Sequence, residues 1–102
     1  MKIFLSGPMT GYPNSNIPLF NELAAKLRAN GHIVWNPAEL PAGLSWNLYM
    51  ALNLAAMNTE TWNLLAQIDG WIWSSGATEE YLEAKRLGIQ DVSVEIALKT
   101  KE

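Results

Sequence analysis

The chain contains no cysteine. Disulfides, thiolate chemistry and the usual structural zinc sites are therefore excluded. Its only histidine is His32, so neither a histidine-based metal cluster nor a Ser-His-Asp triad can be assembled within one chain. Basic residues are scarce, with seven Lys and Arg against ten Asp and Glu for a net charge of −3. No basic field draws in a polyanion, and duplex nucleic acid is not an expected partner, since its binding rests mainly on phosphate neutralisation. A small nucleotide remains compatible, because helix N-termini and backbone N–H groups hold a phosphate without a basic surface. There is no signal-peptide pattern and no apolar run long enough to span a membrane. The expected location is cytoplasmic, with no membrane partner, no metal and no cofactor.

What the chain does have is a globular composition. Its 102 residues suit one domain, residues 1–102, and nearly half of them are hydrophobic. A domain of this size folds alone with a narrow margin of stability. Five tryptophans in so short a chain favour association into a homodimer or higher homo-oligomer, because aromatic residues are enriched in interfaces and ligand pockets.

Hydrophobic patterning divides the chain into alternating strands and helices. Lys2-Ile3-Phe4-Leu5 is a short apolar run ended by Ser6-Gly7-Pro8, a buried strand and its turn. Residues 9–16 are a loop in which Ser15 or Asn16 can cap the next helix. Leu19, Phe20, Leu23, Ala24 and Leu27 recur at helical spacing over residues 17–29, and Gly31 suits the left-handed cap. Residues 32–35 form the second strand, and Ser45 caps a helix over residues 46–57 on which Trp46, Tyr49, Met50, Asn53 and Met57 share a face. Residues 58–73 allow two registers. In one, residues 61–68 are the third strand; in the other, residues 60–67 stay helical and 69–73 are the strand. A helix is expected over residues 78–87, with Glu79 and Glu80 at the positive end of its dipole, and a last strand over residues 91–97. The order is β-α-β-α-β-α-β, which implies an α/β fold with a parallel sheet and helices on both faces.

In such a sheet, ligands bind outside the carboxyl ends of the strands. Three loops are expected there: residues 6–16, residues 36–45, and the segment that starts at Asp69 or Trp71 and ends at Glu80. The first offers Ser6, Gly7, Thr10, Gly11 and Tyr12; its glycines let a ligand approach and its hydroxyls can donate to phosphate or sugar oxygens. It matches neither a Walker motif nor a Rossmann glycine fingerprint, and an ordinary strand–helix turn explains it equally. The third carries Ser74-Ser75-Gly76-Ala77-Thr78-Glu79-Glu80. Glu80 is a candidate nucleophile, because an oxocarbenium-like transition state at a sugar's anomeric carbon tolerates attack by a carboxylate. The competing explanation is that both glutamates merely decorate a helix start. Trp71 and Trp73 can stack on a base or serve core and interface. Asp69 is either a turn residue or a catalytic partner that orients a ligand hydroxyl. His32 is expected to be structural or exposed.

Four motifs occur in order: Lys2-Ile3-Phe4-Leu5-Ser6-Gly7-Pro8-Met9-Thr10-Gly11; Gly31-His32-x-Val34-x-Asn36-Pro37-Ala38; Trp46-x-x-Tyr49-Met50; and Gly70-Trp71-x-x-Ser74-x-Gly76-Ala77-x-x-Glu80-x-x-x-Ala84-x-x-x-Gly88. Over nearly its whole length the chain resembles a family of short, mostly phage and prophage proteins known only as a domain of unknown function. That family is similar to nucleoside 2-deoxyribosyltransferases and 2′-deoxynucleoside 5′-monophosphate N-hydrolases. The resemblance implies a Rossmann-like (flavodoxin-like) three-layer sandwich with a roughly four-stranded parallel sheet, often dimeric. It implies a site that cleaves or exchanges the N-glycosidic bond of a 2′-deoxynucleoside or its monophosphate, so that the partner is a small nucleoside or nucleotide. By position in the Gly-x-x-x-Glu motif, Glu80 matches the family nucleophile, which forms a covalent deoxyribosyl ester. Ser74 matches a residue that helps hold the 5′-phosphate in the monophosphate hydrolases and so leans toward a phosphorylated ligand. Gly76 and Ala77 complete that loop, and Ser6, Gly7 and Tyr12 correspond to the sugar-and-base pocket.

One departure stands out. Relatives carry an aspartate on the helix before the third strand; here that position falls on Asn53 or Thr61, neither of which can act as a general acid. Asn53 is then left as a ligand-binding residue, and Glu60 or Asp69 is the substitute acid. The chain also ends directly after its last expected strand, without the tail through which larger transferases complete a neighbour's pocket. An inactive domain that binds a nucleotide or nucleotide-derived signal is the alternative expectation, and a dimeric interaction module a third.

Overall fold

A computed structural model describes residues 1–102. Its sheet has four parallel strands, β1 (Lys2–Ser6), β2 (Ile33–Trp35), β3 (Leu64–Gln67) and β4 (Gln90–Ser93), in the order β2-β1-β3-β4. The helices are α1 (Ile17–Ala29), α2 (Trp46–Thr59), α3 (Ser75–Arg86) and α4 (Val94–Leu98). This is the expected α/β, flavodoxin-like three-layer sandwich, and its strand order reverses between β1 and β3. No helix is long and apolar enough to cross a membrane.

Strand alternation divides the core into two layers. Ile3 and Leu5 of β1 and Leu64 and Ala66 of β3 pack with Phe20, Leu23, Ala24 and Leu27 of α1 and Val94 and Ala97 of α4. Phe4 and Leu65 face the other way, onto Met57 of α2, Ala84 of α3, Trp62 and Ile89. Phe4 lies between two tryptophans, stacked with Trp35 at 6.1 Å and edge-on to Trp62 at 5.6 Å. Continuing the alternation puts Ser6 and its β3 neighbour Gln67 on the Phe4 side, at the carboxyl edge of the sheet.

Of the two registers left open for residues 58–73, the first is adopted. β3 pairs with β1 and β4 through Leu64–Gln67, and Trp71–Trp73 form a 3₁₀ turn. Strand alternation therefore does not govern the tryptophans of that turn: Trp71 packs against Tyr81 with the rings tilted at 33° and 5.0 Å apart, and Trp73 is 89% exposed. Three other expectations are corrected. Residues 94–97 are helical, because Val94 and Ala97 bury themselves against the α1 layer once the chain has left β4. α3 begins at Ser75, three residues before the expected start, because the Ser74 hydroxyl accepts the Ala77 N–H and caps it. Glu79 and Glu80 thus belong to the second turn, and the dipole has little hold on them. Asn16 stands at the start of α1 but makes no side-chain cap; its amide donates to the Pro8 carbonyl instead. His32 is buried and structural, its ring held between the Met1 amino group and the Thr100 carbonyl.

Gly7 sets the spacing at the carboxyl edge. A Cβ there would lie 2.6 Å from Ile68 Cβ, so β1 and β3 can end side by side only with no side chain at position 7. Gly7→Ala is expected to cost about 1–3 kcal/mol through overpacking, read as a lower urea midpoint with an unchanged slope.

Candidate functional site

The loops after β1, β2 and β3 meet around a cleft of about 440 Å³ at the point where the strand order reverses. Gly7, Met9 and Thr10 line it from the first loop, and Pro37, Leu40 and Leu44 from the second. Trp46, Tyr49 and Met50 enter from the first turns of α2; Ser74, Gly76, Ala77 and Glu80 come from the start of α3. The rim also carries backbone strain. Asn14, Ser15 and Asn16 are three consecutive non-glycine residues with positive φ, and Ser15 lines the cleft. Such conformations cost roughly 1–3 kcal/mol each and persist only where their surroundings enforce them.

Glu80 reaches the cleft because of its place on α3. The buried face of that helix is Ala77, Glu80 and Ala84, spaced i, i+3, i+7. The flanking alanines let α3 lie close over the sheet, and the carboxylate between them extends to the end of β1. There Ser6 Oγ donates to Glu80 Oε1 at 2.5 Å, and both residues are buried. Burial pushes the Glu80 carboxyl up to about 7; the Ser6 hydroxyl opposes that shift, and the neighbouring Glu79 charge adds to it. Near neutral pH the group is therefore divided between acid and carboxylate, a perturbation of the kind that clusters at functional sites.

Tyr49 is the second polar side chain of note in the cleft. Its hydroxyl donates to the Met9 sulfur at 2.7 Å, a weak acceptor. Burial, and next the charge of Glu80, raise its pKa well above the ordinary phenol value, so it is a neutral hydrogen-bond donor throughout the physiological range. The shared face of Trp46, Tyr49 and Met50 was legible in the sequence, but its role as a cleft wall was not.

Of the expected site residues, the structure brings Gly7, Ser74, Gly76, Ala77 and Glu80 together around the cleft. Ser6 stands beneath it, fully buried and bonded to Glu80; it contacts the carboxylate where a pocket lining was expected. Three residues lie elsewhere. Asp69 is exposed in the turn after β3 and lines no part of the cleft. The Tyr12 side chain folds over Gly70, outside the lining. Asn53 is fully buried, accepting from Trp35 Nε1 at 2.8 Å and donating to the Tyr49 carbonyl at 3.1 Å, so its amide holds β2 to α2. Glu60, named as a substitute acid, pairs with Lys2 at the start of β1. No three His, Cys, Asp or Glu side chains converge as metal ligands.

Gln67 is a residue the sequence did not single out. It is buried beside Ser6 in the strand register, and its amide nitrogen has no hydrogen-bond partner. Only the pairing of β1 with β3 reveals that juxtaposition.

A family model described as "Domain of unknown function (DUF4406)" matches residues 1–93. No curated protein and no solved structure matches the chain.

Proposed function

The chain belongs to the DUF4406 family, and we propose that it cleaves or exchanges the N-glycosidic bond of a 2′-deoxynucleoside or its 5′-monophosphate, with Glu80 as the nucleophile. One observation carries this function above the others. The single carboxylate that lines the cleft is buried, anchored by a 2.5 Å hydrogen bond from Ser6 and poised near neutrality.

The chemistry balances on that group. An ionised Glu80 oxygen attacks C1′ as the C1′–N bond breaks; the base leaves with the bonding pair and takes a proton from water. The resulting deoxyribosyl ester is opened by water, whose proton goes to solvent, or by the nitrogen of a second base. Gly7 and Gly76 line the cleft with backbone alone, and at Gly76 a side chain would crowd the Met50 sulfur on the cleft wall. The Tyr49 and Ser74 hydroxyls are available to orient it.

The assay is release of free base, followed by chromatography, from a panel of the four deoxynucleosides and their monophosphates. A wild-type protein that releases none from any of them overturns the proposal. Ser6→Ala tests the anchor. Without the hydroxyl, the carboxylate loses a donor that favours its charged form, and the acid limb of the base-release profile should move about 1–2 pH units higher. A purely structural role for Ser6 would lower the rate without moving the limb.

A second function is favoured by one fact: no other carboxylic acid lines the cleft to protonate a leaving base, Asp69 being exposed. A domain that binds a nucleotide without cleaving it would give heat in calorimetry and return the ligand unchanged.

A further inference from the structure

The cleft has a charge pattern that bears on which ligand it takes. Glu80 is its only residue with a charged side chain; no lysine, arginine or histidine lines it. Most cations of this chain lie toward the other edge of the sheet; Arg28 is the exception, its guanidinium reaching Glu39 in the loop after β2, where that carboxylate neutralises it. In a parallel sheet with alternating helices, the helices run against the strands, so their last turns lie at the strands' amino ends. Lys26 and Arg28 occupy the last turn of α1, Lys85 and Arg86 that of α3, and Lys2 opens β1. Lys99 and Lys101 follow α4 in a tail whose Thr100 carbonyl accepts from His32 and whose Glu102 N–H donates to the Asn30 carbonyl, beside the start of β2. Most of these cations are also engaged: Lys2 with Glu60, Lys26 with Glu22, Arg28 with Glu39, Lys85 with Asp91 and Arg86 with Glu83. Arg28 gives a further hydrogen bond to the Val34 carbonyl.

We propose that the cleft selects an uncharged ligand, the free nucleoside, and discriminates against its 5′-monophosphate. The inference rests on the glycosidic-bond assignment above and narrows it. A phosphate dianion entering this space would lose part of its hydration and meet no cation in return. Its available donors are all neutral: the hydroxyls of Thr10, Ser15, Tyr49 and Ser74, the last already accepting the Ala77 N–H, and the backbone at the start of α3. That helix end offsets only a fraction of the cost of desolvating two negative charges. The dianion would also oppose ionisation of Glu80, the form that attacks. An uncharged sugar and base meet no such penalty, and the apolar surface of Phe20, Leu40, Leu44, Trp46 and Met50 suits the faces of a planar base.

Titration calorimetry of the purified protein with each of the four deoxynucleosides and each corresponding 5′-monophosphate, at low and at high salt, tests this. At least one nucleoside is expected to bind about tenfold or more tightly than its monophosphate, with little change on adding salt. Ala42→Lys, at an exposed position of the cleft rim, should narrow the gap by strengthening monophosphate binding alone. Equal or tighter binding of the monophosphates to wild type overturns the proposal, and so does a failure of every nucleoside to bind. Chromatography of the same samples keeps the two proposals apart. Nucleoside preference without released base would defeat bond cleavage and leave the charge selection standing.

Discussion

Glu80→Gln is expected to abolish release of free base, lowering the rate by about 10³-fold or more, the scale on which loss of a covalent nucleophile acts. The amide keeps the volume of the carboxyl and can still accept from Ser6 Oγ, so the anchoring geometry at the end of β1 survives. What it cannot do is displace a base from C1′. The wild-type pH profile gives the same test from another side. Because the carboxyl titrates near 7, base release should climb as pH rises through that value and level off above it. Acid quenching of wild type during turnover should leave a deoxyribosyl unit on the peptide that contains Glu80, detected by mass spectrometry. Retention of substantial activity by Glu80→Gln would remove the nucleophile from the scheme and the scheme with it.

The same substitution is expected to stabilise the fold in alkaline solution. Burial raises the Glu80 carboxyl to about 7 in the folded protein, against an ordinary value of 4.5. Between those two values the folded state binds more protons than the unfolded state, so stability falls as pH rises across the window. Below about pH 4.5 the side chain is neutral in both states and no penalty exists. Above about pH 7 the penalty is fully developed, on the order of 3 kcal/mol. Glutamine carries no charge to desolvate. Melting temperatures of wild type and Glu80→Gln should nearly coincide at pH 4.5 and separate by roughly 10–20 °C at pH 8, with the variant higher. A difference that does not grow with pH would mean that Glu80 is hydrated rather than buried. Lost activity paired with gained stability is the signature of a group held in an unfavourable environment for the sake of its chemistry.

The two outcomes share a cause that lies in neither residue alone. Ser6 closes an apolar strand and Glu80 stands 74 positions later. Helical spacing with Ala77 and Ala84 turns Glu80 inward, and strand alternation turns Ser6 to the α3 side. Both tendencies are local; their meeting is not. The start of α3 illustrates the limit. Ser74-Ser75 before Gly76 is a capping signal open to inspection, yet the helix was expected only from Thr78. Residues 94–97 show the opposite failure. Val92, Val94 and Ile96 alternate as a strand should, but burial of Val94 and Ala97 against the α1 layer makes the segment helical.

Sequence alone determined the alternation of strands and helices, the helical face of α1 and the Ser45 cap of α2, and it singled out Glu80 as a candidate. Each of these is written in residues a few positions apart, where backbone geometry repeats and a pattern can be counted. Tertiary structure decided the register of residues 58–73, the exclusion of Asp69, Tyr12 and Asn53 from the cleft lining, the entry of Tyr49 and Met50 into it, and the absence of any cation from that lining. Those depend on which strand lies beside which, and that is set by burying two apolar layers at once, a condition on the whole chain that no short stretch of it carries.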